Sequence, residues 1–155
     1  MVQSSPESVV NRSVAIVHGK VIGKTSQREH SGVIYTYYTF KLMENGNIKD
    51  TELAETITIK TVGGKVGKER LEVVGFPVLV KDAEYVLFLQ ERDNINYDIY
   101  GANQGCMRAS KGMLRPCENQ YFNAVYLEQV GVELAPKKEV KIDDFIKKVK
   151  GYISK

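Results

Sequence analysis

The chain reads as an all-β protein, a small barrel or sandwich with a short helix at its start and an amphipathic helix at its end. Three observations predict this. Segments rich in Val, Ile, Thr and Tyr alternate with the period of a half-buried strand. Turn residues separate them, with no helical stretch in between. The closing segment switches to helical spacing.

Ser5-Pro6-Glu7 predicts a helix start, with Ser as N-cap, Pro at the first helical position and an acid in the first turn; the helix ends near Asn11. SVAIVHGKVIGK (13–24) is the first strand and VIYTYYTFKLM (33–43) the second, joined by the polar connection TSQREHSG (25–32). ENGNIKDTELAE (44–55) reads as a turn-rich link, and TITIKTV (56–62) as a third strand. EYVLFLQE (84–91) is a fourth. YDIYGANQG (97–105) follows the turn residues Asp93 to Asn96, and YFNAVYLEQ (121–129) is a further strand candidate. In KIDDFIKKVKGYISK, Ile142, Phe145, Ile146, Val149 and Ile153 form one apolar stripe with lysines opposite, so a helix over about 141–154 should cover the barrel. Asp143 and Asp144 in its first turn and lysines later suit the helix dipole.

The 155 residues suit one domain over 1–155, and the 43% hydrophobic fraction is ordinary for a globular chain. Twenty-two basic against 19 acidic residues, a net charge of +3, is too even a balance to argue for nucleic acid. No apolar run approaches the roughly 20 residues that span a bilayer. The start MVQSSPESVV lacks the charged and apolar regions of a signal peptide. A cytoplasmic protein and a trimmed mature secreted chain both fit that start.

TVGGKVGKERL (61–71) imitates a phosphate loop. From Gly63 to Gly67 only Gly64, Lys65 and Val66 intervene, one residue short, and Glu69 stands where a magnesium-binding hydroxyl belongs. Gly75 and Pro77 break any helix after it. The expectation is a mobile surface excursion between strands that binds no nucleotide. His18 and His30 do not combine with the two cysteines on a zinc-site spacing, so no metal or other cofactor is expected. Glu91, Asp93 and Asp98 gather near one hairpin end. A hydrolase reading would require Asp93 and Asp98 in one concave pocket. Tyr35 and Tyr37 share one strand face, and Tyr38 and Phe40 the other; one face is core, so at most one pair is free to stack on bases.

CMRASKGMLRPC (106–117) carries more information. A two-residue Lys111-Gly112 turn sets Ser110 opposite Met113 and, four pairs further, Cys106 opposite Cys117. Facing Cα atoms about 4.5–5.5 Å apart lie within the disulfide range of roughly 4.4–6.8 Å. Met107, Ala109, Leu114 and Pro116 then share an apolar face, and Pro116 falls at a non-hydrogen-bonded pair where its missing N–H is harmless. The cysteines occupy the opposite face, where their sulfurs should be reachable by reductant. Arg108 opposes Arg115 beside them. A disulfide implies an oxidising compartment.

ESVVNRSVAIVHGKV (7–21), IYTYYTF (34–40), Gly63-Gly64 with Gly75-Phe76-Pro77, EYVLFL (84–89), Gln104-Gly105 and IDDFIKKVK (142–150) carry a resemblance over about the whole chain. It resembles small bacterial and archaeal extracytoplasmic proteins that look like the netrin-type OB barrels of the tissue inhibitors of metalloproteinases. The resemblance implies an OB-like barrel of five or six strands and an extracytoplasmic home. Those inhibitors chelate the protease zinc through an N-terminal cysteine. Here no cysteine precedes Cys106, so that mechanism does not carry over. The expected role is a non-enzymatic binding module for a protein partner, with a peptidase suggested by fold analogy alone. The alternative is an OB-type binder of single-stranded nucleic acid using Tyr35 or Tyr37 with Arg108 and Arg115.

Overall fold

The computed structural model describes residues 6–49, 53–73, 77–93, 95–100, 105–117 and 140–153. The expected strand at 121–129 lies outside them. Helix α1 (Pro6–Arg12) precedes the long strands β1 (Ala15–Arg28) and β2 (Ile34–Lys49). β3 (Thr56–Val62), β4 (Gly64–Val66), β5 (Glu69–Leu71), β6 (Glu84–Glu91) and β7 (Tyr97–Ile99) follow. β8 (Cys106–Ser110), β9 (Met113–Pro116), β10 (Val140–Lys141) and helix α2 (Ile142–Ile153) complete the described elements.

The protein is mainly β. Its main sheet has the order β1-β2-β3-β7-β6-β8-β9-β10, in which the last strand is a two-residue pair. β1 also pairs with β6, so β1, β2, β3, β7 and β6 close into a ring of five strands. The sheet is mixed: every pairing is antiparallel except β3 with β7, which meet in parallel at Ile59 and Tyr97.

Two expected connections turn out to be strand. TSQR extends β1, because Thr25, Ser26, Gln27 and Arg28 pair with Tyr37, Thr36, Tyr35 and Ile34. The Thr- and Tyr-rich edge of β2 supplies the ladder that their own polar side chains do not advertise. ENGNIK continues β2 to Lys49 by means of a large bulge. The register jumps from Gly19↔Leu42 to Val17↔Asn47, and Asn45 takes a left-handed φ of 57° in the excursion. Beyond it Ile48 is buried again. The Gly-rich stretch is a small hairpin of β4 and β5. Gly63 is buried, and a Cβ on Gly64 would collide with Ser26 and Thr36, so the segment is seated on β1 and β2.

Strand alternation divides the apolar residues between two cores. Val17, Val21, Tyr38, Phe40, Ile59, Leu87, Leu89 and Ile99 fill the ring. Ile16, Val86, Phe88, Met107, Ala109 and Leu114 project from the other face and are covered by Val9 and Val10 of α1 and Ile142, Phe145 and Val149 of α2. The Phe145 ring meets Phe88 edge-to-face at 6.3 Å. Ile146 and Ile153 are partly buried at the margin, so the predicted stripe is the docking face. Lys49 ties α1 down from the end of β2. Its ammonium donates to the carbonyls of Val10, Asn11 and Ser13 at 2.8, 3.1 and 2.7 Å, satisfying acceptors a helix end leaves open. Burial lowers the Lys49 pKa. At α2, the Ile142 N–H donates to Gly112 O at 2.9 Å, fixing the helix start to the β8–β9 turn.

That turn has the expected register, with Ser110, Ala109, Arg108 and Met107 facing Met113, Leu114, Arg115 and Pro116. Lys111 and Gly112 both have positive φ, 53° and 78°, the requirement of a type I′ hairpin. Cys106 and Cys117 are disulfide-bonded with Cα atoms 5.5 Å apart. They lie on the face opposite Met107 and Leu114, but that face looks into the ring. At 0% and 5% exposure the sulfurs are buried, which corrects the expectation that reductant reaches them.

Two measurements check this packing. Phe145→Ala should cost about 3–5 kcal/mol of unfolding free energy, since it empties a buried aromatic site; an unchanged denaturation midpoint would show the helix undocked. The disulfide should resist reductant in the folded protein and react once denaturant opens the core. Replacing both cysteines with serine should cost about 3 kcal/mol in the chain-entropy account. Rapid reduction under native conditions would contradict the burial.

Candidate functional site

The outer face of β2, β3 and β7 is the part of the ring where aromatic and charged side chains converge. Alternation along β2 turns Thr36, Tyr38 and Phe40 inward and leaves Tyr35 and Tyr37 half-buried outside. TITIKTV has the same period, so Ile57 and Ile59 go inward, and Lys60 faces outward directly opposite Tyr37. The Lys60 Nζ lies 4.5 Å from the Tyr35 ring centroid and 5.3 Å from that of Tyr37. It donates to Glu29 Oε1 at 2.7 Å, and the Tyr37 hydroxyl donates to the same oxygen at 2.5 Å.

Arg92 enters from the end of β6. Its guanidinium carbon sits 5.1 Å from the Tyr35 centroid. Its Nε donates to the Lys60 carbonyl at 3.2 Å and its Nη2 to Asp98 Oδ2 at 3.0 Å. Arg92 therefore bridges β3 and β7 at the seam where one residue pair joins them. The platform carries two cations and two carboxylates. Glu29 is held below the usual glutamate range, first by its hydrogen bond from Lys60 and then by that from Tyr37. Lys60 is raised by the same hydrogen bond. Asp98 is raised, because its burial outweighs the attraction of Arg92. Glu29 is thus kept ionised and is a poor proton shuttle near neutral pH. The group is suited to contact through aromatic edges and shared hydrogen bonds.

Arg108 and Arg115 do face each other, as expected. However, Arg108 shares its sheet face with Cys106, whose neighbours are inside the ring, whereas Tyr35 and Tyr37 are on the outer face. The four do not form one surface. Asp93 spends its carboxylate on the Ile95 and Asn96 amides and the Asn96 side chain, at 2.8–2.9 Å. With Glu91 it borders a shallow groove of about 400 Å³ that Asp98 does not line, so the two aspartates of the hydrolase reading are in different places. His18 pairs with Glu84 at 2.9 Å. In the hairpin, Gly67 and Lys68 form the turn, β5 follows them, and Glu69 is paired with Arg28. Among the described residues no group of three or more His, Cys, Asp and Glu is arranged to hold a metal ion, and no helix is long and apolar enough to cross a membrane.

Sequence reasoning named Tyr35 and Tyr37 and missed Glu29, Lys60 and Arg92 as their partners. The period of TITIKTV contained the signal for Lys60 once it is paired with β2. Glu29 and Arg92 stand at strand ends, where periodicity carries no information. No family model matches the chain, and no curated protein matches it either.

The electrostatics can be read by carboxylate NMR. Asp98 should titrate above an ordinary aspartate, Asp93 below one, and Glu29 below an ordinary glutamate. The signs differ. The stability owed to Glu29 and Asp93 is present above their unfolded pKa values and is lost as pH falls through their folded ones. That owed to Asp98 is present below its unfolded pKa and is lost as pH rises through its raised folded value. Asp98 titrating below Asp93 would contradict the burial argument.

Proposed function

We propose that the chain is a non-enzymatic, extracytoplasmic interaction module on an OB-like, netrin-type barrel, and that the outer platform of Tyr35, Tyr37, Lys60 and Arg92 contacts a protein partner. The observation that carries this is the internal neutralisation of the platform: Lys60 is bound by Glu29 and Arg92 by Asp98. Tyr and Arg are the side chains enriched in protein-interface cores. A nucleic-acid groove instead needs uncompensated positive charge for phosphates. The five-stranded ring flanked by helices supports the barrel reading. The buried Cys106–Cys117 bridge supports an oxidising compartment. A peptidase as the partner is an analogy from the resemblance.

The second reading, single-strand binding, is favoured by the half-exposed pair Tyr35 and Tyr37. One set of experiments separates the two. Immobilised protein should retain a partner from envelope extract, and Tyr35→Ala or Tyr37→Ala, checked for an unchanged melting curve, should lose it. Oligonucleotides should leave tyrosine fluorescence unchanged. Quenching that weakens with salt would replace the first reading with the second. Retention by the alanine variants equal to that of the parent would remove the platform from the function.

A further inference from the structure

β3 is paired along its whole length on one side only. Thr56–Val62 faces Lys41 back to Tyr35 of β2 without a register shift, whereas the other edge meets β7 at one pair, Ile59 and Tyr97. The hydrogen bonds at the two ends of the β2–β3 ladder fix where the main-chain groups point. Leu42 N–H donates to Glu55 O and Gly63 N–H to Ile34 O, both at 2.8 Å, so the odd-numbered residues from Glu55 to Gly63 turn their main chain toward β2. Thr56, Thr58, Lys60 and Val62 turn theirs toward β7. Arg92 Nε, which donates to Lys60 O at 3.2 Å, meets that second edge. Because Ile59 faces β2, its parallel bridge to Tyr97 runs through the flanking Thr58 C=O and Lys60 N–H.

Three groups on this edge are left open: Thr56 N–H, Thr56 C=O and Thr58 N–H. Among the described residues no hydrogen bond engages them. β7 does not reach them, because the chain ahead of Tyr97 folds back on itself. Asn96 O accepts from the Arg92 and Asp93 amides at 3.1 and 3.4 Å, and Asp93 Oδ1 accepts from the Ile95 and Asn96 amides at 2.9 and 2.8 Å. The groove of about 400 Å³ is the space that opens between β3 and this turn. Leu53, Ile57, Tyr97 and the 80% exposed Ile95 give it apolar walls. An open strand edge of this kind is a template for another extended chain.

The groove is acidic. Glu91 and Asp93 line it, and among the described residues no cation does. The charges around it cancel in pairs: Lys41 with Glu55, Lys60 with Glu29 and Arg92 with Asp98, at 3.8, 2.7 and 3.0 Å. Asp93 is held below the usual aspartate range, first by its hydrogen bond from the Asn96 side chain, and so keeps its charge. The Glu91 carboxylate is exposed and has no hydrogen bond or ion pair among the described residues.

We propose that this edge of β3 is a strand-addition site for an extended, basic peptide segment of another protein. Main-chain pairing with Thr56 and Thr58 supplies hydrogen bonds that any sequence can make, and the groove supplies the selection. A lysine or arginine lays its aliphatic stem against the apolar walls and brings its charge to Glu91 and Asp93. An acidic segment meets like charge there, and so does nucleic acid. The site needs nothing from Tyr35 or Tyr37 and holds whether or not the platform binds a partner.

Amide hydrogen exchange of the full chain, read by NMR, tests it. In the free protein the Thr56 and Thr58 amides should exchange faster than those of Ile57 and Ile59, which the β2 ladder holds. The synthetic peptide acetyl-(Val-Lys)3-amide should slow exchange at both. The same peptide with glutamate in place of lysine should bind at least about tenfold more weakly. A fully N-methylated lysine peptide should not bind. Glu91→Gln should weaken the lysine peptide about two- to fivefold, with an unchanged melting curve. Thr56 and Thr58 amides already protected in the dilute free protein, no response to millimolar lysine peptide, or equal binding of the lysine and glutamate peptides would each overturn the proposal. Protection that rises with protein concentration alone would give the edge to a second copy and overturn it as well.

Discussion

The structure depends on the two-sided burial of β6. Tyr85, Val86, Leu87, Phe88 and Leu89 are all buried, though successive side chains point to opposite faces. Tyr85, Leu87 and Leu89 enter the ring, and Val86 and Phe88 enter the layer beneath the helices. The same strand pairs with β1 on one edge and with β7 and then β8 on the other. A polar residue on either face would have to be desolvated without compensation, so β6 is apolar on both. The helices are accordingly part of the fold, because they cover apolar residues that the ring cannot enclose.

Closing the ring requires strong curvature, and the protein supplies it locally. β1 and β2 bend through bulges, the largest being the Met43–Gly46 excursion. At the opposite side, β3 and β7 share one backbone bridge. Side chains strengthen that seam: Arg92 binds the Lys60 carbonyl and Asp98, and lies over Tyr35. The same residues that make the outer platform chemically distinctive therefore also hold the ring shut, so its composition has a structural use whatever else it does.

Two exposed surfaces differ in kind. On the platform each cation is committed to a carboxylate, so its contacts would be aromatic and hydrogen-bonded with little long-range steering. At residues 77–80 the side chains of Val78 and Val80 are exposed, and among the described residues no hydrogen bond engages the main chain of Val78. Leu79 between them is buried in the ring, and the Leu79 and Val80 amides donate to the Tyr38 and Tyr85 hydroxyls, so Val78 and Val80 stand on a fixed base.

Much of this was legible locally. Strand period located the central parts of β1, β2 and β3, the spacing of Ile142, Phe145 and Val149 identified the α2 docking face, and the Lys111-Gly112 turn fixed the register that pairs Cys106 with Cys117. These are short-range consequences of strand and helix period and of turn geometry, and they need no knowledge of the rest of the chain. Tertiary structure alone decided what depends on distant partners. TSQR and ENGNIK became strand because β1 and β2 zip together across a bulge. The cysteine face became interior because the sheet curls toward it. Tyr35 gained Lys60 and Arg92, and was separated from Arg108, because ring closure sets which strands meet and which face each side chain takes.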